Sequence, residues 1–340
     1  MNPDRYSRQI LFEGIGREGQ EALGRARVLI MGCGALGASH AEMLSRAGTG
    51  HLKIVDRDFV EYSNLQRQTL FTEADAEARL PKAVAAKNRL AEVNSGIEVE
   101  AIVADVNFSN AEELISDVDL VIDGSDNFQV RYLINDACVK LGKNWIYGAA
   151  VSSYGTTMTI RPGETPCLRC IFGEMPPAGS APTCDTAGVI QPIIASVSSV
   201  QVTEAIKILT GQTDSLHGSL HQIDIWRGDW RKIKMKAPDP DCVCCGKREF
   251  EFLSEENQES LTALCGRNAV QIMPAIGTRI DLEKLEESLA KSLETERNEY
   301  LLRFSLDGRT VTLFRDARAI IQGTDDISEA RAIYARYVGT

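Results

Sequence analysis

The sequence predicts an α/β fold, a mixed and mostly parallel sheet followed by a small C-terminal α+β domain, on three observations. A glycine-rich hexapeptide, "GCGALG" at residues 32–37, stands between a β-branched apolar run and a helical pattern. Apolar runs of strand length then alternate with helical periodicity as far as Gly142. After "DCVCCGKREF" the composition shifts to a charged tail, so domains are expected at 1–246 and 247–340. A chain of 340 residues is long enough for two cores, since domains run to roughly 100–200 residues. The first domain is therefore read as Rossmann-like and nucleotide-binding.

The elements follow in order. Residues 27–60, "RVLIMGCGALGASHAEMLSRAGTGHLKIVDRDFV", read as strand, glycine turn, helix and strand, a β-α-β unit with parallel strands. "KAVAAKNRLAEVNSG" predicts a helix ending at Gly96, "IEVEAIVADV" a strand, "NAEELISDV" a short helix, "DLVIDGSDN" a strand and "FQVRYLINDACVKLG" a helix closing at Gly142. "NWIYGAAVSSYGTTMTIRP" predicts paired strands, and Gly163 to Gly188, rich in Pro, Gly and Cys, a long loop of the kind that often carries function. "GVIQPIIASVSSVQVTEAIKILTG" predicts a core helix and not a membrane span, because Gln191, Gln201, Glu204 and Lys207 interrupt it. "HGSLHQIDIWRGDWRKIKMK" alternates as strands. The tail predicts a strand near 269–273, a charged helix at 282–293, strands at 300–305 and 310–314, and a last helix at 328–337.

Net charge of −11 and a pI near 5.0 argue against a nucleic-acid binder, whose phosphate contacts need a basic face. The start "MNPDRYSRQILFEGIG" lacks the order of a signal peptide, and no uninterrupted apolar run reaches the roughly 18 residues of a span, so a cytoplasmic protein is expected. In that compartment thiols stay reduced, and the nine cysteines are read first as metal ligands.

"GCGALG" fits G-x-G-x-x-G with Gly32, Gly34 and Gly37, and Asp56 follows roughly 20 residues on, at the end of the next strand. The glycines let the backbone approach a ligand, the helix N-terminus favours anionic oxygens, and the Asp56 carboxylate can take both ribose hydroxyls. Just beyond lies "SNLQRQTLF", with Asn64 and Arg67, and further on Lys82. Two phosphates of a dinucleotide hardly need that many donors, whereas a triphosphate does. Asp123 and Asp126 end a strand at the carboxyl edge; Asp126 is favoured as a magnesium ligand, and capping of the next helix competes for Asp123. Cys167 and Cys170 pair by spacing with Cys242 and Cys245 as two halves of a four-sulfur zinc site, with Cys244 an alternative to Cys245 at a tighter bite. Cys184 stands alone in the long loop, either a reactive thiol or an inert one. Cys33, Cys138 and Cys265 read as packing residues. His40, His51, His217 and His221 fall outside every cluster, which suits a reaction whose nucleophile is already a carboxylate.

"RYSRQ", "GCGALG", "IVDRD", "SNLQRQTL", "PKAVAAK", "DGSDN", the "CLRC" and "CVCC" knuckles and "TCDTAGV", in order from about residue 5 to 246, together resemble the ThiF/MoeB/HesA family of bacterial adenylyltransferases related to ubiquitin-activating enzymes. The tail, with "CGRNAVQI" and "YARYVG", resembles the C-terminal extension of Bacillus-type ThiF proteins. The resemblance implies ATP-dependent adenylation of the C-terminal glycine of a small β-grasp sulfur-carrier protein, of ThiS type (thiazole synthesis) or MoaD type (molybdopterin synthesis). It implies that Asp56 holds the ribose, that Ser63, Asn64, Arg67 and Lys82 surround the phosphates, that Asn127 belongs to the nucleotide-binding set, and that Asp126 takes Mg2+. It further implies that Arg8 reaches into a partner protomer's ATP site, making a homodimer. Cys184 becomes the candidate for a transient covalent link with the carrier or a sulfur-donor protein. Ala35 departs from the family's G-x-G-G-L-G by one methyl near the nucleotide. The competing readings are a nicotinamide oxidoreductase with a zinc ribbon, a non-enzymatic zinc scaffold, and a tRNA-modifying dehydratase that the acidic balance disfavours.

Overall fold

The computed structural model describes residues 4–176, 184–254, 261–264, 268–273 and 278–338, with backbone alone at 184–185 and 261–264. The chain forms two compact units, Met1–Asn257 and Gln258–Thr340.

In the first unit α1 (Ser7–Ile10) and α2 (Gly16–Leu23) precede β1 (Arg27–Met31). There follow α3 (Ala35–Ala47), β2 (His51–Asp56), α4 (Glu73–Glu77), α5 (Lys82–Val93), β3 (Glu98–Val103), α6 (Ala111–Ser116), β4 (Leu120–Asp123) and α7 (Phe128–Leu141). The antiparallel half comprises β5 (Asn144–Val151), β6 (Tyr154–Ile160), β7 (Ser219–Asp224) and β8 (Asp229–Lys234), with α8 (Leu168–Phe172), α9 (Cys184–Ala187) and α10 (Gln191–Leu209) between β6 and β7. The eight strands lie in the order β3-β2-β1-β4-β5-β6-β7-β8. Pairing is parallel from β3 to β5 and antiparallel from β5 to β8. The chain moves outward from β1 to β3, then returns to place β4 on the other side of β1. That reversal opens a crevice at the carboxyl ends of β1 and β4, where open α/β sheets bind ligands.

The central parallel strands β1 and β4 are largely apolar on both faces because helices cover both. Alternate residues of β1 enter different cores: Val28 and Ile30 pack with Ala38, Ala41, Ala86 and Leu90 from α3 and α5, while Leu29 and Met31 pack with Leu114, Ile115, Tyr132 and Leu133 from α6 and α7. Helix α7 stops at Gly142, whose φ of +67° is the left-handed conformation that costs glycine little. Helix α10, at 19 residues, is long and apolar enough to cross a membrane by length and composition. It is nevertheless a core helix, burying Ile193, Ile194, Val197 and Val202. Its buried Gln201 Nε2 donates to the carbonyls of Asp123 (3.1 Å) and Ile146 (3.3 Å), and Glu204 accepts from Thr159 Oγ1 (3.0 Å) and Lys207 Nζ (2.7 Å).

The first unit runs past residue 246. Phe250 and Phe252 pack on its core, Phe252 lies 5.1 Å from the Tyr132 ring, and its N–H donates to Asp136 Oδ2 at 3.0 Å. The composition changes before the packing does, because these aromatics belong to an otherwise charged segment.

The second unit is a six-stranded antiparallel sheet in the order β11-β12-β13-β14-β10-β9. Its strands are β9 (Leu261–Leu264), β10 (Ala269–Ile272), β11 (Thr295–Arg297), β12 (Leu301–Leu306), β13 (Arg309–Phe314) and β14 (Ala319–Gln322), with α11 (Leu282–Leu289) and α12 (Ile327–Tyr337). Leu282, Leu289, Ala330 and Ile333 from the helices join Val270, Leu302, Phe304, Val311, Leu313 and Ile321 in one core. The α+β expectation stands, and three strands, β9, β11 and β14, are additional to those the sequence predicts.

Candidate active site

Three glycines interlock at the crevice. Gly32 leaves β1 with φ +88°, and a Cβ there would lie 3.0 Å from the Gly124 carbonyl oxygen. A Cβ on Gly37 would stand 1.9 Å from the Gly32 carbonyl oxygen, and one on Gly124 would meet that oxygen at 2.6 Å and the Gly37 Cα at 2.7 Å. The loop after β1, the first turn of α3 and the turn after β4 therefore touch as bare backbone. Gly124 lies outside the glycine motif, and its signal in the sequence is "DGS" directly after a strand. Gly34 caps α3 and Ala35 opens it, so the unpaired amides of that helix end face the crevice.

Asp56, the last residue of β2, ties this loop to the sheet. Its Oδ2 accepts from the Cys33 N–H at 2.6 Å and its Oδ1 from the Asp58 N–H at 2.7 Å. Each oxygen keeps a further lone pair for a ribose hydroxyl. Burial pushes its carboxyl pKa up, and the Lys82 ammonium opposes that.

Lys82 opens α5 and is 5% exposed, with Nζ 3.4 Å from Asp58 Oδ2. An antiparallel bridge between Phe59 and Pro81, and a bond from the Lys82 N–H to the Asp58 carbonyl at 2.9 Å, fix it beside the end of β2. Arg57 Nη1 donates to Asp105 Oδ1 at 2.8 Å. Burial works against its charge, but Asp105 and Asp58 outweigh burial and hold its pKa above the ordinary arginine range. Asp126 also adds to the field that favours the Arg57 charge.

The remaining candidates divide. Asp126 is exposed. Asn127 caps α7, its Oδ1 accepting from the N–H groups of Gln129 (2.8 Å) and Val130 (3.4 Å). Asn64 is buried and its Oδ1 accepts from the Glu61 N–H at 3.1 Å, shaping the turn that begins at Tyr62. Ser63 is exposed in that turn, and Arg67 Nη1 donates to the Ser63 carbonyl at 2.9 Å. Arg8 is exposed on α1. The Cys184 side chain and Cys265 lie outside the described residues.

Asp123 is fully buried and caps nothing. Its Oδ1 accepts from Ser125 N–H (2.9 Å) and Oγ (2.6 Å), and its Oδ2 from Arg131 Nε at 3.1 Å. Burial raises its pKa against the pull of Arg131. Arg131 also donates to the carbonyls of Ser125 (2.7 Å) and Gly148 (3.2 Å), so the pair anchors the turn that carries Gly124 and Asp126.

The histidines are committed elsewhere. His40 is buried, 2.8 Å from Gln201 Oε1, and burial drives its pKa down to about 4. His217 stacks on His221 at 4.1 Å, and His51 faces Glu100 at 3.5 Å.

Cys167, Cys170, Cys242 and Cys245 bring their sulfurs within 4.8 Å of one another, the metal-ligating cluster found among the described residues. Neighbouring sulfurs are 3.8 Å (Cys167–Cys170), 3.6 Å (Cys167–Cys242) and 3.3 Å (Cys170–Cys245) apart. Four thiolates at about 2.3 Å from a tetrahedral ion stand roughly 3.8 Å apart, so the set fits zinc. Cys244 takes a hydrogen bond from Asn135 Nδ2 at 3.1 Å, and it is Cys245 that completes the four-sulfur cluster. Cys33 and Cys138 are fully buried.

The ThiF family model matches residues 6–244. The chain is 47% identical over 337 residues to "Sulfur carrier protein ThiS adenylyltransferase" of Bacillus subtilis (strain 168), covering 98% of this chain and 99% of that one. It is 40% identical over 248 residues to "Sulfur carrier protein adenylyltransferase" of Thermus thermophilus, covering 72% and 90% respectively. The solved structure of E. coli MccB with ATP shares the fold, with a TM-score of 0.63 and 24% identity over 72% of this chain and 75% of that one. The chain belongs to the ThiF family.

Proposed function

We propose that this chain is an ATP-dependent adenylyltransferase that activates the C-terminal glycine carboxylate of a small β-grasp sulfur-carrier protein of ThiS type. The observation that carries the reading is the 47% identity to a ThiS adenylyltransferase across 98% of the chain, both units included. The MoaD-type alternative draws on the Thermus relative, whose name does not specify the carrier and whose match spans 72% of the chain.

In this reading Gly32, Gly34, Ala35, Gly37 and Asn127 line the nucleotide and Asp56 holds the ribose. Ser63, Asn64, Arg67 and Lys82 surround the phosphates, and Arg8 enters from a second copy in a homodimer. Asp126 would hold Mg2+, which when bound supplies charge neutralisation at the phosphates. Cys167, Cys170, Cys242 and Cys245 would hold Zn2+ with no open position, a structural metal. Cys184 is the proposed point of a covalent link to the carrier or a sulfur donor.

The chemistry follows from charge. A terminal carboxylate, whose ordinary pKa is about 3.5, is ionised at neutral pH and needs no base. Its oxygen attacks the α-phosphorus of ATP as the bond to pyrophosphate breaks, giving an acyl-adenylate. Two anions must meet, so preorganised cations and alignment lower the barrier, and that is the work assigned to Lys82, Arg67 and Arg8. The test is exchange of labelled pyrophosphate into ATP with ThiS-type and MoaD-type carriers side by side. Exchange is expected with the ThiS-type carrier and lost when its last glycine is deleted; exchange with the MoaD-type alone, or without any carrier, contradicts the reading.

A further inference from the structure

We infer that Arg57 and Asp105 form the base-recognition corner of the nucleotide site and select a purine bearing a 6-amino group. The inference rests on the proposed ATP site and adds the part of it that reads the base.

If the phosphates lie at the glycine loop and the ribose at Asp56, the base extends away from α3, past the end of β2 and toward β3. Those two strand ends are neighbours: Asp56 pairs with Val103, and the Ala104 N–H donates to the Asp56 carbonyl at 3.2 Å. The next side chains on that edge are Arg57 and Asp105, joined by the 2.8 Å bond, with 24% and 15% of their side-chain surfaces exposed.

The corner is rigid. The Asp105 carbonyl accepts from Asn110 Nδ2 at 2.8 Å and from Asn107 Nδ2 at 3.3 Å, so the loop after β3 is pinned from two sides. Removing an ion pair from water costs several kcal/mol per ion before attraction offsets it, so such pairs are weak devices for stability alone. A recognition role accounts for this one. The guanidinium plane offers a purine a flat, charged surface to stack on. Asp105 Oδ2 takes no hydrogen bond from the described residues, and an ionised carboxylate can only accept. It can accept a hydrogen bond from a 6-amino group and would meet a 6-oxo group lone pair against lone pair. Adenine is thereby favoured over hypoxanthine and guanine. Neither residue has a spacing signal in the sequence; only the register of β2 against β3 brings them together.

The test is calorimetric binding of Mg-ATP and of Mg-ITP, which replaces the 6-amino group by oxygen, to the full-length protein. Wild type is expected to prefer ATP by at least about 100-fold, as sites built to hydrogen-bond a substrate group reject analogues lacking it. Asp105→Asn, whose amide can also donate, should narrow the preference to within about 10-fold, with ITP binding tightened. Arg57→Ala should weaken both nucleotides by about 10-fold through lost stacking. A wild type that binds ATP and ITP equally, or an Asp105→Asn variant that keeps the wild-type preference, overturns the inference. Binding without turnover separates the outcomes: selective ATP binding with no carrier-dependent exchange would contradict the proposed function, and carrier-dependent exchange without base preference would contradict only the corner.

Discussion

The two chemically marked regions of the first unit are built to different degrees. At the cysteine knuckles all four sulfurs already stand within 4.8 Å, with Cys167 and Cys242 buried. At the glycine crevice the backbone is equally settled, yet Asp126 and Ser63 are exposed, and Arg67 bonds its own turn. Between these lie cations facing carboxylates: Lys82 against Asp58, and Arg57 against Asp105. The knuckles belong to the fold, so the sulfurs must converge for the chain to close. The cations near the crevice are balanced by carboxylates or bonded to their own turn.

Metal removal should have the largest effect. Stripping the ion with a chelator, or Cys242→Ser, should lower Tm by more than about 10 °C and expose the α7 core, because binding energy at a structural zinc site is folding energy. Cys244→Ser should retain one metal per chain by elemental analysis and Cys245→Ser should lose it; the reverse would reassign the fourth ligand.

Next in size is Asp123→Ala. It leaves the buried Arg131 uncompensated and should cost about 3–5 kcal/mol in denaturant titration. A loss below about 1 kcal/mol would mean that Asp123 is not the anchor of the turn carrying Asp126.

A smaller effect comes with pH. The His40 pKa falls from 6.5 in the unfolded chain to about 4 in the fold, so the unfolded state takes the proton first. Stability from this group is complete above about pH 6.5 and is lost as pH falls toward about 4, on the order of 3 kcal/mol. His40→Gln should flatten that part of the stability profile without removing it, since His217 is lowered to about 4 as well. An unchanged slope would show that His40 is not the residue responsible.

Smallest is Asn127→Ala, which removes the α7 cap and should cost about 1 kcal/mol, with Asn127→Ser largely restoring it. Restored stability with still-weakened ATP binding would show that Asn127 also touches nucleotide.

Much of the crevice is legible in the sequence because steric demand and chemistry coincide there: the glycines that admit a ligand also let three backbone segments touch, and Asp56 that suits a ribose also holds the loop. The cysteine spacing is legible for the same reason, although the choice of Cys245 over Cys244 needs α7, whose Asn135 claims the latter. Asn64 and Asn127, which are proposed nucleotide contacts, also cap turns in the fold through Oδ1, a second use that spacing alone does not reveal. Arg57 with Asp105, and Asp123 with Arg131, are hidden because each pair is set by strand register or tertiary packing. In the second unit β11 and β14 escape because runs of three and four residues carry too few periods to read.

The central claim is that the crevice gathers charge over an ATP tail for attack by a carrier's carboxylate. Carrier-dependent pyrophosphate exchange by Arg67→Ala and Asp126→Ala tests it most directly. Neither side chain is buried, so both variants should unfold within about 0.5 kcal/mol of wild type while exchange falls by at least about 100-fold. Folded variants that exchange at the wild-type rate would contradict it.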